Sequence, residues 1–319
     1  MHNFALMLPA DMMKRNIFFL FMTVIVACSC GDDGKKKQAL ADMAAGQRVA
    51  DSLALKVGVM PVMDCLPLFI ADETGIFDSL GVDIQLVCYD DGLDCCTDLM
   101  EGKIQGCVTD VVRAGMMQRK GCPLSYVTAT DAYWQFVTNR KARINELKQM
   151  TNKMLAVTRF SAEEMLGDMA IGKARINSEY VFRIQINNPA LRVMMMRNNE
   201  MDAAMLPEPQ AAVARQNKDT VLMDSRDVDL WLGTMVVRDD YAADERRATQ
   251  VKRLAEAYDK AVAMINSQGV TAYKDIITRR MNIDETVVFS LSDIQYSHSR
   301  QPRREDIDRA DAWLNEKMK

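Results

Sequence analysis

Four carboxylates, one guanidinium and three aromatic rings fall where a small molecule could be held. Asp64, Asp110, Asp131 and Glu208 lie in or beside loops that follow apolar runs. An ionised carboxylate in such a loop accepts hydrogen bonds from an amine, and the same group caps a helix when it precedes one. Arg159 follows a short apolar run and can pair an anion or face water. Ser161-Ala-Glu-Glu164 has capping-box spacing, so the Ser161 hydroxyl serves either a ligand or the helix start. Tyr133, Trp134 and Phe160 can sandwich a flat ring, and their faces attract a cation by about 0.5–2 kcal/mol. With Cys65 beside Asp64 and Thr109 beside Asp110, these eleven positions form the expected ligand-binding set. Burying a small anion among so many carboxylates is costly. The expected ligand is therefore neutral or cationic, with Glu208 accepting from an amine and Trp134 stacking.

Other chemistries have little material. His2 and His298 are the only histidines, too few for a His-rich metal site or a His-based triad. No Walker loop, GxSxG or HExxH occurs, and no metal or other cofactor is expected. Cys65, Cys88, Cys95, Cys96, Cys107 and Cys122 are confined to one stretch and lack CxxC spacing. They read as buried thiols or as disulfides of an oxidising compartment, and Cys88 and Cys107 fit strand patterns as small apolar residues would. A formal charge of -4 disfavours nucleic acid as a partner.

The elements that must position these groups repeat. Leu55 to Val59 reads as a strand, Pro67 to Thr74 as a helix closed by Gly75, Val82 to Val87 as a strand, Asp94 as the cap of a helix to Glu101, and Gly106 to Thr109 as a strand. Further along, Leu155 to Val157, the Ser161 helix, Val181 to Ile186 and the Asn188-Pro189 helix follow the same order. Glu101–Val108 aligns with Asn198–Met205, with Gly102 and Asn199 both tolerating a left-handed cap. The alternation implies two α/β lobes with parallel sheets, and ligands of such sheets sit beyond the strands' carboxyl ends. The loops after Val59, Thr109, Val157 and Leu206 are therefore the cleft. Asp244 opens a long helix with Val251, Leu254, Tyr258, Val262 and Ile265 on one stripe, and a last helix carries Ile307, Ala310 and Leu314.

At the other end, Lys14 and Arg15 precede the apolar run Ile17 to Ala27, too short to span a membrane. Ile25-Val26-Ala27-Cys28 has the form of a lipoprotein cleavage box, so residues 1–27 read as a signal peptide and Cys28 as the lipidated N-terminus, with Cys30 a second acceptor. Residues 28–52 read as a tether. Lobe one is expected at 53–130 plus 235–319 and lobe two at 131–234.

LKVGVMPVMDCLPLFIADETGIFDSLGVDIQLV, with Pro67, Gly75, Phe77 and Gly81 in place, resembles the opening of periplasmic substrate-binding proteins of the nitrate/sulfonate/taurine and thiamine-precursor type. EGKIQGCVTD resembles their Gly-x-Ile/Val-Asp turn, with Gln105 in place of Asp. MDAAMLPEPQAAVA resembles the second-lobe counterpart at Asp202, Ala203, Leu206, Pro207, Glu208 and Pro209. The resemblance implies a type II periplasmic binding protein-like fold, α/β with two doubly wound lobes joined by a hinge. It implies an ABC permease and ATPase as partners, a monomer on the extracytoplasmic face of the envelope, and an aminopyrimidine thiamine precursor as the best single ligand. Fold alone does not settle function. A lyase or synthase using Cys65 or Asp110, and a permease-independent ligand-sensing lipoprotein, are the alternatives. The CCCFC segment of pyrimidine-synthase relatives is missing, since no Cys follows Cys122.

Overall fold

A computed structural model describes residues 53–319; the expected signal peptide, Cys28, Cys30 and the expected tether lie outside the described residues. Strand β1, Leu55–Val59, is buried on both faces, as its unbroken apolar character requires. Helix α1, Leu66–Glu73, carries Pro67 in its first turn, where a missing N–H costs nothing. There follow β2 (Ile84–Cys88), α2 (Gly92–Met100), β3 (Gly106–Asp110), α3 (Val111–Arg119) and β4 (Leu124–Ala129). A second series runs β5 (Trp134–Thr138), β6 (Lys153–Val157), α4 (Ala162–Lys173), β7 (Val181–Gln185), α5 (Pro189–Arg197), β8 (Ala203–Pro207), α6 (Gln210–Gln216) and β9 (Thr220–Asp224). The chain then forms β10 (Gly233–Arg238), α7 (Glu245–Gln268) and α8 (Arg304–Lys317), with shorter helices between.

The repetition is real in three dimensions. One sheet has the order β2-β1-β3-β10-β4 and the other β7-β6-β8-β5-β9, so each element of the first has its counterpart in the second. Gly102 at φ 75° and Asn199 at φ 63° make the same left-handed turn before β3 and β8. The sheets are mixed, not parallel as the alternation suggested. β10 runs antiparallel to β3 and β4, and β5 antiparallel to β8 and β9. The reason is topological: each of these strands is lent by the chain as it arrives from the other sheet, and it enters from the opposite end. β10 begins at Gly233, just ahead of the expected lobe boundary.

The helix after β2 is capped by Asp91, whose Oδ1 accepts from the N–H of Leu93 and Asp94, so Asp94 sits inside the first turn rather than at the cap. Asn188 caps α5 as its sequence indicates, accepting from Ala190 and Leu191. Leu254, Tyr258, Val262 and Ile265 of α7 pack with Leu55, Val57 and Phe69. Each fully buried aliphatic side chain there contributes about 1.5–3 kcal/mol. A second cluster, Val137, Ala156, Val193, Met196 and Leu206, backs the other sheet.

Two connections pass between the sheets, 130–133 and 225–232, and they lie side by side: Thr130 N–H donates to Gly233 O at 3.0 Å. A Cβ at Gly233 would collide with Thr130 Oγ1 and stand 2.6 Å from Ala132 Cβ, which is why the smallest residue occupies it. Helix α8 braces both halves. Arg119 of α3 pairs with Asp311 at 2.9 Å, while Lys317 reaches Glu164 at 3.1 Å and Asp168 at 2.9 Å on α4. Trp313 Nε1 also donates to Asp168.

All six cysteines from Cys65 to Cys122 are free thiols, and five are buried. Cys88 is exposed, against its reading as an interior strand residue, because β2 is an edge strand with few covered positions. Among the described residues no helix is long and apolar enough to cross a membrane, and no group of three or more His, Cys, Asp or Glu is placed to hold a metal ion.

Candidate functional site

The carboxyl ends of β1, β3, β6 and β8 open on one cavity of about 80 Å³. Met60, Val62, Met63 and Asp64 line it beyond β1, Thr109, Asp110 and Arg113 at the β3–α3 junction, Thr158, Ser161 and Glu163 beyond β6, and Pro207 and Glu208 at the end of β8. Asp131, Ala132, Tyr133 and Trp134 supply the wall at the first connection between the sheets. Ile294 and Tyr296 close the side, and Gly92, Asn187 and Pro189 complete it.

Eight of the eleven positions singled out from sequence thus come together: Asp64, Thr109, Asp110, Asp131, Tyr133, Trp134, Ser161 and Glu208. Three do not line the cavity. Cys65 is buried behind its wall, where Sγ accepts from Met60 N–H at 3.4 Å. Burial, with Asp64 adjacent, pushes its thiol well above the ordinary range. Arg159 is exposed to solvent. Phe160 turns at φ 53° and packs against the apolar cluster of the α4 side. The cavity's cation is instead Arg113, a residue that sequence reasoning passed over. Its only signal was the Asp110-x-x-Arg113 spacing, which puts both residues in one helical turn.

The carboxylates differ sharply in how much bonding capacity they have left. Asp131 accepts from Ser297 N–H at 2.6 Å, Ser297 Oγ at 3.0 Å and Arg300 at 2.7 Å. Glu208 is equally committed. Tyr133 O–H donates to it at 3.0 Å, Ala212 N–H at 2.8 Å, and Arg215 lies 2.6 Å away. Both oxygens of Glu208 are engaged, so the role expected of it, accepting from a ligand amine, has little spare capacity behind it. Asp64 is the opposite case. Its Oδ1 is buried in a cavity-lining residue and makes no well-formed hydrogen bond, although the Thr130 hydroxyl, itself unpaired, and the Ala132 N–H lie near the carboxyl. Burial lifts the Asp64 carboxyl from its ordinary 3.8 to about 7, with Asp131 and Asp110 adding to the rise and Thr130 opposing it. Asp110 is lifted to about 7 as well, by burial, against the pull of Arg113.

Behind the cavity a buried ion pair fixes the β6 loop. Arg192, fully buried, donates to Ile186 O at 2.6 Å, Met205 O at 2.7 Å, Glu163 Oε2 at 2.7 Å and Thr158 Oγ1. Burial alone would raise the Glu163 carboxyl, but Arg192 holds it below the ordinary range. The capping box read at Ser161 is displaced by one residue. Ser161 Oγ accepts from Glu163 N–H, and Glu164 Oε2 accepts from Phe160 N–H instead of from Ser161 N–H, while Glu163 accepts from Thr158 N–H and Arg192. Tyr133 has Arg226 over one ring face at 3.7 Å, which leaves a single face for any stacking partner.

No curated protein sequence matches the chain. Solved structures do share its fold. The periplasmic aliphatic sulphonate binding protein of Escherichia coli aligns with a TM-score of 0.70 and 16% identity, covering 83% of this chain and 88% of that one. The alkanesulfonate-binding protein of Xanthomonas axonopodis pv. citri, bound to MOPS, gives 0.72 and 13% over 82% and 91%. The periplasmic nitrate-binding protein of Synechocystis PCC 6803 gives 0.66 and 14% over 78% and 74%. These likenesses establish the periplasmic binding protein-like α/β fold that the resemblance implied. The family model described as NMT1/THI5 like matches residues 63–272, and the chain belongs to that family.

Proposed function

We propose that this chain is the solute-binding component of an ABC importer, tethered to the envelope by acylated Cys28, and that it captures a small neutral or cationic nitrogenous molecule. An aminopyrimidine is the first candidate. The observation that carries this reading is Asp64 Oδ1, a buried carboxyl oxygen without a well-formed hydrogen bond in a cavity between two sheets. A buried acceptor costs about 1–3 kcal/mol when unsatisfied, and a ligand N–H repays it. Tyr133 and Trp134 line the same space with ring surface.

Family membership and the structural neighbours, proteins that bind sulphonates and nitrate, support solute capture at this place in the fold. In this reading lobe one, 53–130 with 235–319, and lobe two, 131–234, close about the two connections as a hinge. The closed monomer then meets a permease and its ATPase on the extracytoplasmic face. The enzyme alternative loses its thiol candidate, since Cys65 does not line the cavity and its thiol is held protonated at neutral pH.

Native mass spectrometry of the purified protein, followed by incubation with the molecule it retains, tests the reading. Stoichiometric retention of an unchanged compound is expected. Turnover of that compound would replace the carrier with an enzyme.

A further inference from the structure

One carboxylate stands where two helix N-termini meet. β3 ends at Asp110 and α3 starts at the next residue; Ser161 precedes α4 on the other sheet. Asp110 Oδ1 accepts from Arg113 N–H at 2.9 Å in the first turn of α3, and from Ala162 N–H at 3.0 Å at the start of α4. Oδ2 lies 3.5 Å from Arg113 Nε. Both residues are only 5% exposed, and both line the cavity. Beyond Asp110, among the described residues, the Arg113 guanidinium makes a long contact to Cys96 Sγ at 3.8 Å and feels the charge of Glu163.

Two convergent helix N-termini with a buried guanidinium beside them make a strong anion site, since free N–H groups, aligned peptide dipoles and a fixed positive charge all point at one spot. Here the chain fills that spot itself. An incoming oxyanion would face the Asp110 oxygens at hydrogen-bond range, acceptor against acceptor. Displacing them would break two backbone bonds and strand a buried carboxylate.

We propose that Asp110 is the specificity-determining residue of this cavity: it is a built-in anion that holds the α3 and α4 N-termini and thereby excludes sulfate, nitrate and sulfonates. This rests on the reading of the cavity as a solute site and adds what sets its charge preference. The Ala162 bond also joins the two halves across the cavity, so the same carboxylate favours their approach in place of an anionic ligand.

Calorimetric titration of the full chain and of Asp110→Ser with sodium sulfate, nitrate and methanesulfonate at pH 8, on the alkaline side of the Asp110 value of about 7, tests this. Serine keeps a cap for α3 while vacating the space. The variant is expected to bind at least one of the three about tenfold or more tightly than the parent. Asp110→Asn removes the charge and keeps the shape and an acceptor for both backbone bonds, so it is the second variant should serine fail to fold; a gain of about threefold is expected of it. A parent chain that binds any of these anions as tightly as the folded variants overturns the proposal, as does a folded variant with no gain. The probes are simple anions, so the outcome is independent of whether the parent retains a native solute. A chain that retains none while Asp110→Ser gains sulfate sinks the carrier reading and leaves the role of Asp110 standing.

Discussion

Replacing Asp64 by Asn should change how stability depends on pH. The folded-state value of about 7 lies above the ordinary 3.8, so the native state binds the proton more tightly than the unfolded chain. Below about pH 4 the group is protonated in both states and costs nothing. As pH rises from about 4 to 7 the unfolded chain ionises first, and stability falls by about 1.36 kcal/mol per pH unit. Above pH 7 the loss is complete, at up to about 4 kcal/mol. Between pH 5 and pH 8.5 the remaining part is about 2.7 kcal/mol. Asn cannot ionise, so Asp64→Asn should gain about that much on the parent chain over this interval. Urea unfolding of both proteins at the two pH values measures it. The double difference removes what the two proteins share; Asp110, Tyr258 and Tyr296 feel the Asp64 charge, so the measured gain includes the easing of their own shifts. Parallel pH profiles would mean that Asp64 is solvated and ionised in the fold, and the buried, unpaired oxygen would no longer serve as the ligand's anchor.

Three further outcomes are expected. Arg192→Met should cost about 3–5 kcal/mol in urea unfolding, because it strands Glu163 and two carbonyls in the interior; a loss under 1 kcal/mol would contradict the brace. Among the six thiols from Cys65 to Cys122, alkylation of the native protein followed by peptide mass mapping should label Cys88 first, and early labelling of Cys96 or Cys107 would contradict the packing of α2 on β3. Replacing both Cys28 and Cys30 by Ser should release the protein from the membrane fraction, and unchanged detergent partitioning would reject the lipid anchor.

Much of the fold was legible because its signals are local. The Asn188-Pro189 start, the left-handed turns at Gly102 and Asn199, and the α7 stripe each depend on neighbours in sequence. The cleft loops were legible too, since ligand sites of such sheets follow strand ends whatever the side chains are. What escaped reading depended on contacts between distant segments. Nothing local marks β5 and β10 as strands lent to the opposite sheet, so the sheets read as parallel. Arg159 and Arg113 look alike in sequence; one turns outward after β6, while the other is carried inward in the first turn of α3. Glu208 read as a free acceptor because Tyr133, Arg215 and Ala212 reach it only after folding. Tyr296 and Ile294 come from a segment with no pattern of its own.

Solute capture through Asp64 is tested most directly by titrating the parent chain, Asp64→Asn and Trp134→Ala with an aminopyrimidine in a calorimeter. One-to-one binding by the parent is predicted. Asp64→Asn should weaken it by about 1.5–3 kcal/mol, the worth of a charge-assisted hydrogen bond. Trp134→Ala should weaken it as well, by the loss of ring contact. Equal affinity in all three proteins, or no heat from the aminopyrimidine alongside tight binding of nitrate or an alkanesulfonate by the parent, would contradict it.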